Sequence, residues 1–172
     1  RLAPLSIGDI ELRQLAVCLD RNEQEVLGCL RPCHLPEPIT WRLEGPFDSS
    51  YSLALVNRET ARALAALGHR IVLHSTEGPG DFPPDQHFLS ENPDLSDMHR
   101  QAARVAHGDA DVVSRNLYPP RVSDMSARFN FLHGYAWEET GFPAEWVEAF
   151  NSTLQGVMVV SRHVRKIMLD HG

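Results

Sequence analysis

Gly45-Pro-Phe-Asp-Ser-Ser-Tyr-Ser52 is the stretch on which the reading of this chain turns. Before it, Ile39-Thr-Trp-Arg-Leu43 alternates in the manner of a short strand. After it, Ser50 to Leu67 carries an Ala/Leu stripe at Leu53, Ala54, Val56, Ala61, Leu64, Ala65 and Leu67, and Gly68 suits the helix stop. The octapeptide therefore reads as a sharp strand-to-helix turn rich in small residues. Such a turn aims backbone N–H groups and a helix N-terminus at an anionic or hydroxyl-rich group above a sheet.

Working outward, the same rhythm continues. Arg70-Ile-Val-Leu-His74, Ala110-Asp-Val-Val-Ser114, Ala127 to His133 and Gln155 to Val160 read as strands. Leu95 to His107, Pro143 to Phe150 and Arg162 to Leu169 read as helices, and the Pro/Gly-rich run from Glu77 to Pro93 reads as a long irregular loop. Strands separated by helices predict an α/β, Rossmann-like fold, with a mainly parallel sheet covered on both faces. Ligands of such sheets bind along the C-terminal edge of the strands. Residues 1–38 read differently. Ile10 to Leu30 has helical spacing broken near Arg21-Asn22, and Pro32, Pro36 and Pro38 make a stiff linker. The predicted organisation is a short N-terminal helical segment and linker over 1–38, then a Rossmann-like domain over 39–172.

The 172 residues fit one domain beyond that segment, and 42% hydrophobic with 23% charged residues is a globular composition. A net charge of −7 argues against nucleic acid as a partner. No apolar run approaches a membrane span. Cys18, Cys29 and Cys33 are an odd set without disulfide spacing, which points to a reducing cytoplasm. Cys29-Leu-Arg-Pro-Cys33-His34 has one residue too many for a metal or haem motif, so no metal is expected. The Asn151-Ser-Thr153 sequon carries no meaning without a secretory route. Neither a GxGxxG fingerprint nor a G-x-S-x-G elbow is present.

The residues that follow each strand supply a candidate rim. Glu44, Gly45, Pro46, Phe47, Ser49, Ser50 and Tyr51 follow the first, Ser75 and Thr76 the second, and Arg115 and Asn116 the third. His133, Gly134, Tyr135, Trp137 and Glu138 follow the fourth, and Ser161 the fifth. Hydroxyls, amides, an imidazole and a carboxylate with two aromatics suit a polyol such as a sugar. Each has a plainer alternative. Ser49 or Ser50 can cap the helix, His133 can be a satisfied histidine at a sheet edge, Glu138 can be solvated, and Arg115-Asn116 can be a surface turn.

The segment Trp41 to Ala54, with Asn57-Arg58-Glu59 and Leu67-Gly-His69, resembles the N-terminal half of bacterial family 4 ("group 1") glycosyltransferases. Arg115-Asn-Leu-Tyr-Pro-Pro120 resembles the family's R-N-x-x-P-P turn. Trp137-Glu138 with Phe142-Pro143 and Trp146 resembles its W-E…P-x-x-W segment, and Val159-Val-Ser161 with His163-Val-Arg165 its V-x-S-x-x-V-R element. The likeness covers Ile39 to Gly172. It implies the GT-B architecture, two Rossmann-like domains facing across a cleft. The first binds the sugar acceptor and the second a nucleotide-sugar donor.

The resemblance implies that this chain is the acceptor-side half of a retaining glycosyltransferase of hexosyltransferase type, in polysaccharide, lipopolysaccharide or glycoprotein assembly. It implies no cofactor and no metal, a nucleotide sugar as co-substrate, and a donor domain lying beyond Gly172. The expected location is the cytoplasm, with peripheral association at the inner membrane open to it. Catalytic roles fall to His133, as a group that helps hold the donor sugar, and Glu138. Substrate-binding roles fall to Gly45, Pro46, Phe47, Ser49, Ser50, Tyr51, Arg115, Asn116 and Trp137. Residues 1–38 have no counterpart and would belong to a preceding domain or meet a partner. The alternative reading is a non-catalytic Rossmann-like binding or interaction module. An enzyme complete in itself ranks last, for want of a nucleophile or cofactor loop.

Overall fold

The computed structural model describes residues 38–172, so the helical reading of Ile10 to Leu30, the linker before Pro38 and the three cysteines lie outside the described residues. In chain order the elements are β1 (Thr40–Glu44), α1 (Ser52–Ala66), β2 (Arg70–His74), β3 (Thr76–Glu77), β4 (Gly80–Asp81), α2 (Gln86–Glu91) and α3 (Pro93–Arg100). Short 3₁₀ turns at Gln101–Ala103 and His107–Asp109 lead into β5 (Val112–Arg115), β6 (Phe129–Tyr135), α4 (Ala144–Thr153), β7 (Gly156–Val159) and α5 (Arg162–His171).

The five main strands form one sheet in the order β2-β1-β5-β6-β7, and every pair is parallel. The fold is therefore α/β and Rossmann-like, as the alternation of strands and helices predicts. From β1 the chain goes one way to β2, and β5 lies on the other side of β1. That reversal makes the crevice above the C-terminal ends of β1 and β5 the topological switch point.

Period-two alternation sorts the core onto two faces. Leu43, Ile71 and Leu73 join Phe47, Ala61 and Leu95 in one cluster. Val72, Val113 and Leu132 join Val105, Val122, Phe150 and Val164 in the other. Each fully buried large apolar side chain contributes ~1.5–3 kcal/mol.

The helix read over Leu95 to His107 runs instead over Pro93–Arg100, with a 3₁₀ turn after it, and the structure departs from the sequence reading in three further places. The run from Glu77 to Pro93 is not one irregular loop, since it holds the small antiparallel hairpin β3–β4 and α2. Asp85 starts α2 by accepting the Phe88 N–H at 2.7 Å, a cap that a proline-rich context hides. Second, β6 starts at Phe129 rather than Ala127. Asn130 Oδ1 accepts the Ala127 N–H at 3.0 Å and its amide donates to the Ala127 carbonyl at 3.3 Å, so a side chain holds Ala127 in a turn. Third, β6 continues through His133 to Tyr135 with a bulge. Leu132 pairs with Val157 but Tyr135 with Val159, and Gly134 takes φ +61°.

Among the described residues no helix is long and apolar enough to cross a membrane.

Candidate functional site

The turn between β1 and α1 closes over Asn57. Gly45 has φ +151°, and a Cβ there would lie 2.3 Å from Asn57 Nδ2 and 2.4 Å from the Asn116 carbonyl oxygen. Only glycine fits this crossing. Asn57 Nδ2 donates to the Pro46 carbonyl at 2.7 Å and the Asn116 carbonyl at 3.0 Å. One buried amide thus ties the loop after β1 to the chain leaving β5. The close approach that Gly45 permits is taken by the protein itself rather than left for a ligand.

The same amide reaches β6. With both Nδ2 hydrogens donated to carbonyls, Asn57 Oδ1 faces His133 Nε2 at 3.0 Å and must accept. His133 therefore carries its proton on Nε2, and Nδ1 keeps a lone pair. Nδ1 has no partner among the described residues, and the residue is 3% exposed. Burial pushes its pKa down to about 4, so at neutral pH the imidazole is an uncharged hydrogen-bond acceptor. It does not act as a charged acid there.

Asn116 Nδ2 is likewise buried and unpartnered, and lies 3.4 Å from where a Gly134 Cβ would sit. The residue before the bulge glycine thus holds an unused acceptor, and an unused donor lies beside the glycine itself. A hydroxyl, which both donates and accepts, could answer either group.

A second cluster lies beside the first. Arg42 and Glu44 share a face of β1, and register sets Arg115 of β5 opposite Glu44. Glu44 Oε1 accepts from Arg42 Nε at 2.6 Å and faces His107 Nε2 at 2.6 Å, and Oε2 accepts from Arg115 Nε at 2.5 Å. Burial alone would raise the Glu44 carboxyl. The His107 hydrogen bond and the Arg115 charge overcome it and hold that carboxyl well below the usual carboxylate range. The bond to Glu44 in turn raises His107. Arg115 also grips both Asp124 oxygens, at 2.6 and 2.9 Å, and the Arg121 carbonyl.

These contacts correct two expectations. Arg115 is 1% exposed, and its guanidinium is paired inside the protein instead of facing a substrate. Phe47 is fully buried and packs on Phe88 and His99, with ring centroids 6.3 and 5.6 Å away. It is a core residue, and Pro46 beside it is buried too.

The serines do not cap α1. The N-cap is Tyr51, which makes no side-chain cap bond. Ser50 is exposed, and Ser49 Oγ is buried without a partner among the described residues. Tyr51 is exposed at the rim and donates its hydroxyl to Glu77. Trp137 is half-buried, donates to the Gly141 carbonyl at 2.7 Å, and meets Phe142 and Trp146 edge-on. Glu138 is exposed in the loop after β6 and makes no hydrogen bond or ion pair among the described residues. Ser161 caps α5 by accepting the Val164 N–H at 3.2 Å.

The structure therefore brings Gly45, Asn116 and His133 together and sends Phe47 and Arg115 into the interior. The residue that sequence reasoning missed is Asn57. Its signal was a polar side chain on the buried stripe Ala54–Asn57–Ala61 of α1. Among the described residues no three His, Cys, Asp or Glu side chains gather as a metal-binding group. No protein-family model, curated protein or solved structure matches this chain.

Proposed function

We propose that this chain is the acceptor-side half of a retaining glycosyltransferase of the GT-B type. It would work with a nucleotide sugar held on a second Rossmann-like domain and pass the sugar to a glycan, lipid-linked or protein acceptor. One observation carries the reading. His133 Nδ1, on the residue before Gly134, and the Asn116 amide, beside Gly134, are both buried without a partner among the described residues, towards the C-terminal edge of a parallel sheet. Such a pair is suited to a sugar hydroxyl. A neutral histidine can hold that hydroxyl without adding charge beside an oxocarbenium-like centre.

Glycosyl transfer needs stabilisation of the departing diphosphate and exclusion of water. A closing cleft between two domains supplies both, so one half alone binds but does not turn over. The proposal places this half in the cytoplasm, where nucleotide sugars would reach it.

Calorimetry of the 172-residue chain against free glycans and nucleotide sugars tests the reading. Sugar binding that weakens about tenfold in His133→Ala, with the circular dichroism spectrum retained, supports it. Absence of binding to any sugar, nucleotide or phosphate contradicts it. So does transfer by this chain alone at an ordinary enzyme rate of about 1–1,000 per second.

A second reading, a non-catalytic Rossmann-like module, is favoured by the inward use of Gly45, Phe47 and Arg115. In it an ordered water satisfies His133 and Asn116, and the switch point serves only packing.

A further inference from the structure

His107 opens the 3₁₀ turn before β5, and both of its ring nitrogens meet acceptors. Nε2 lies 2.6 Å from Glu44 Oε1, and Nδ1 lies 3.1 Å from the Asp124 backbone carbonyl oxygen. A carbonyl oxygen can only accept, so Nδ1 must carry a proton. Glu44 could offer a proton to Nε2 only as the neutral acid. Arg42 Nε at 2.6 Å and Arg115 Nε at 2.5 Å donate to its two oxygens and keep it a carboxylate. Nε2 must then carry a proton as well. The imidazolium satisfies this pattern in full, and neither neutral tautomer does.

The positive ring closes a circuit of bonds. Glu44 of β1 holds both His107 and Arg115. His107 holds the Asp124 carbonyl, and Arg115 of β5 holds the Asp124 carboxylate through Nη1 at 2.6 Å and Nη2 at 2.9 Å. Asp124 is thus gripped by backbone and side chain, in the turn that the Met125 N–H closes on the Val122 carbonyl at 3.0 Å. The charged groups around the ring are Glu44 and Arg42 from β1, Arg115 from β5 and Asp124 from the turn. Asp109, on the same 3₁₀ turn as His107, accepts the Ala106 N–H at 3.3 Å, and the charge of Arg121 acts on Asp124. His74 at the end of β2 feels the Glu44 charge too, but burial and Arg42 hold it below the ordinary histidine value. For His107 the Glu44 bond prevails, and burial and the Arg115 charge oppose it without cancelling the rise.

The turn matters because of the segment it anchors. Between β5 and Asp124 the chain carries Asn116, whose carbonyl accepts from Asn57 at 3.0 Å. It carries Pro119, so close to Gly78 that a Cβ there would meet the proline ring at 2.2 Å. It also carries Arg121, which donates to Thr76 Oγ1 at 3.0 Å. This segment therefore borders the candidate site and braces the β3–β4 hairpin. A neutral His107 has one N–H for two acceptors. The shorter bond, to an ion, keeps it, and the Nδ1 lone pair then faces the Asp124 carbonyl, so that bond is lost.

We propose that His107 is a charge-operated latch on the β5–β6 loop: as the imidazolium it fastens the Asp124 turn to β1, and on losing its proton it lets that turn go. The device adds a response to pH in the segment beside the candidate site, and it stands whether or not that site takes a sugar. The closed turn binds the proton more tightly than the open one. The latch is therefore fully engaged below the ordinary histidine value and weakens as the pH rises through the higher value of the closed form.

Histidine side-chain ¹⁵N and backbone amide NMR of the 172-residue chain, between about pH 6 and pH 9, tests it. Both His107 nitrogens should be protonated at the acid end, with a midpoint above the ordinary value of about 6.5. The Val122, Asp124 and Met125 amides should shift with that same midpoint. Between the ordinary value and that midpoint, exchange of the Met125 amide, corrected for its intrinsic rate, should report opening about tenfold more frequent per pH unit. His107→Gln has one nitrogen for two acceptors and should abolish this dependence, leaving the turn as open at the acid end as the unaltered chain is at the alkaline end. Should that variant not fold, the titration of the unaltered chain decides alone. A singly protonated ring at the acid end, or a midpoint at or below the ordinary value, would overturn the proposal. So would turn amides that stay still while His107 titrates, or that shift equally in His107→Gln.

Discussion

The C-terminal edge of the sheet contains two neighbouring regions of opposite character. Above β1 and β5 the buried charges are paired inside the protein. Glu44 is held by Arg42, His107 and Arg115, and the Asn57 amide bonds two carbonyls and His133. At the end of β2 lies a cleft lined by His74, Ser75, Asp81, Gln86 and His99, and there the Ser75 hydroxyl has no partner among the described residues. Both regions are strand ends rich in polar residues, and in the sequence they look alike. Burial of charge separates them. A buried ion is costly unless fully paired, so the first region had to complete its bonds internally, whereas the half-open cleft did not.

The strongest way to break this contrast is to remove Glu44. Glu44→Ala leaves Arg42 and Arg115 buried without their common carboxylate and should cost about 3–5 kcal/mol in urea unfolding. A loss below about 1 kcal/mol would mean that the network does not hold this edge together. Next comes Gly45→Ala. Its Cβ would collide with Asn57 and the Asn116 carbonyl in a left-handed conformation, for about 3 kcal/mol in the same measurement. A neutral outcome would show that the crossing over Asn57 is loose.

Acid titration sharpens the contrast further. His133 titrates at about 4 when folded, against about 6.5 for an ordinary histidine, so the unfolded chain binds more protons between those values. Its contribution is complete above pH ~6.5 and is lost as the pH falls towards ~4, up to roughly 3 kcal/mol. His133→Leu should remove that part of the slope. His107 has the opposite sign, because its folded pKa is raised by Glu44. Its contribution is complete below the unfolded value and fades as the pH rises through the folded one. A His107→Gln variant should therefore lose stability mainly on the acid side of neutrality. The smallest expected effect is at the cleft. Ser75→Ala should change unfolding free energy by less than about 0.5 kcal/mol, or stabilise slightly, because no bond is broken. A loss above about 1 kcal/mol would reveal a hidden partner for that hydroxyl.

Strand-to-helix alternation made the parallel α/β class legible, because apolar runs of period two and period 3.6 are local properties. Register is not local. The pairing of Glu44 with Arg115 follows once β1 and β5 are aligned, but nothing within either segment announces the alignment. For the same reason Arg115 read as an anion-binding residue, although its partners lie on another strand and in the turn at Asp124. Asn57 could have been noticed as a polar intruder on an apolar helix face, though not as the hub of three chain segments. The hairpin and α2 escaped because they are short, and the bulge at His133-Gly134 because a strand pattern does not register an added residue. The β2 cleft was legible only as Ser75 and Thr76 following a strand, since His99 and Gln86 come from helices far along the chain.

Histidine side-chain ¹⁵N NMR of the 172-residue chain near pH 7, before and after sugar is added, tests the central claim most directly. That claim is that His133 stands neutral, protonated on Nε2, and offers Nδ1 to a sugar hydroxyl. The account predicts the Nε2–H tautomer in the free protein and a shift of Nδ1 alone when a bound glycoside, extended enough to reach the switch point, is present. A protonated or Nδ1–H ring, or a His133 signal unmoved by every sugar that binds, would contradict it.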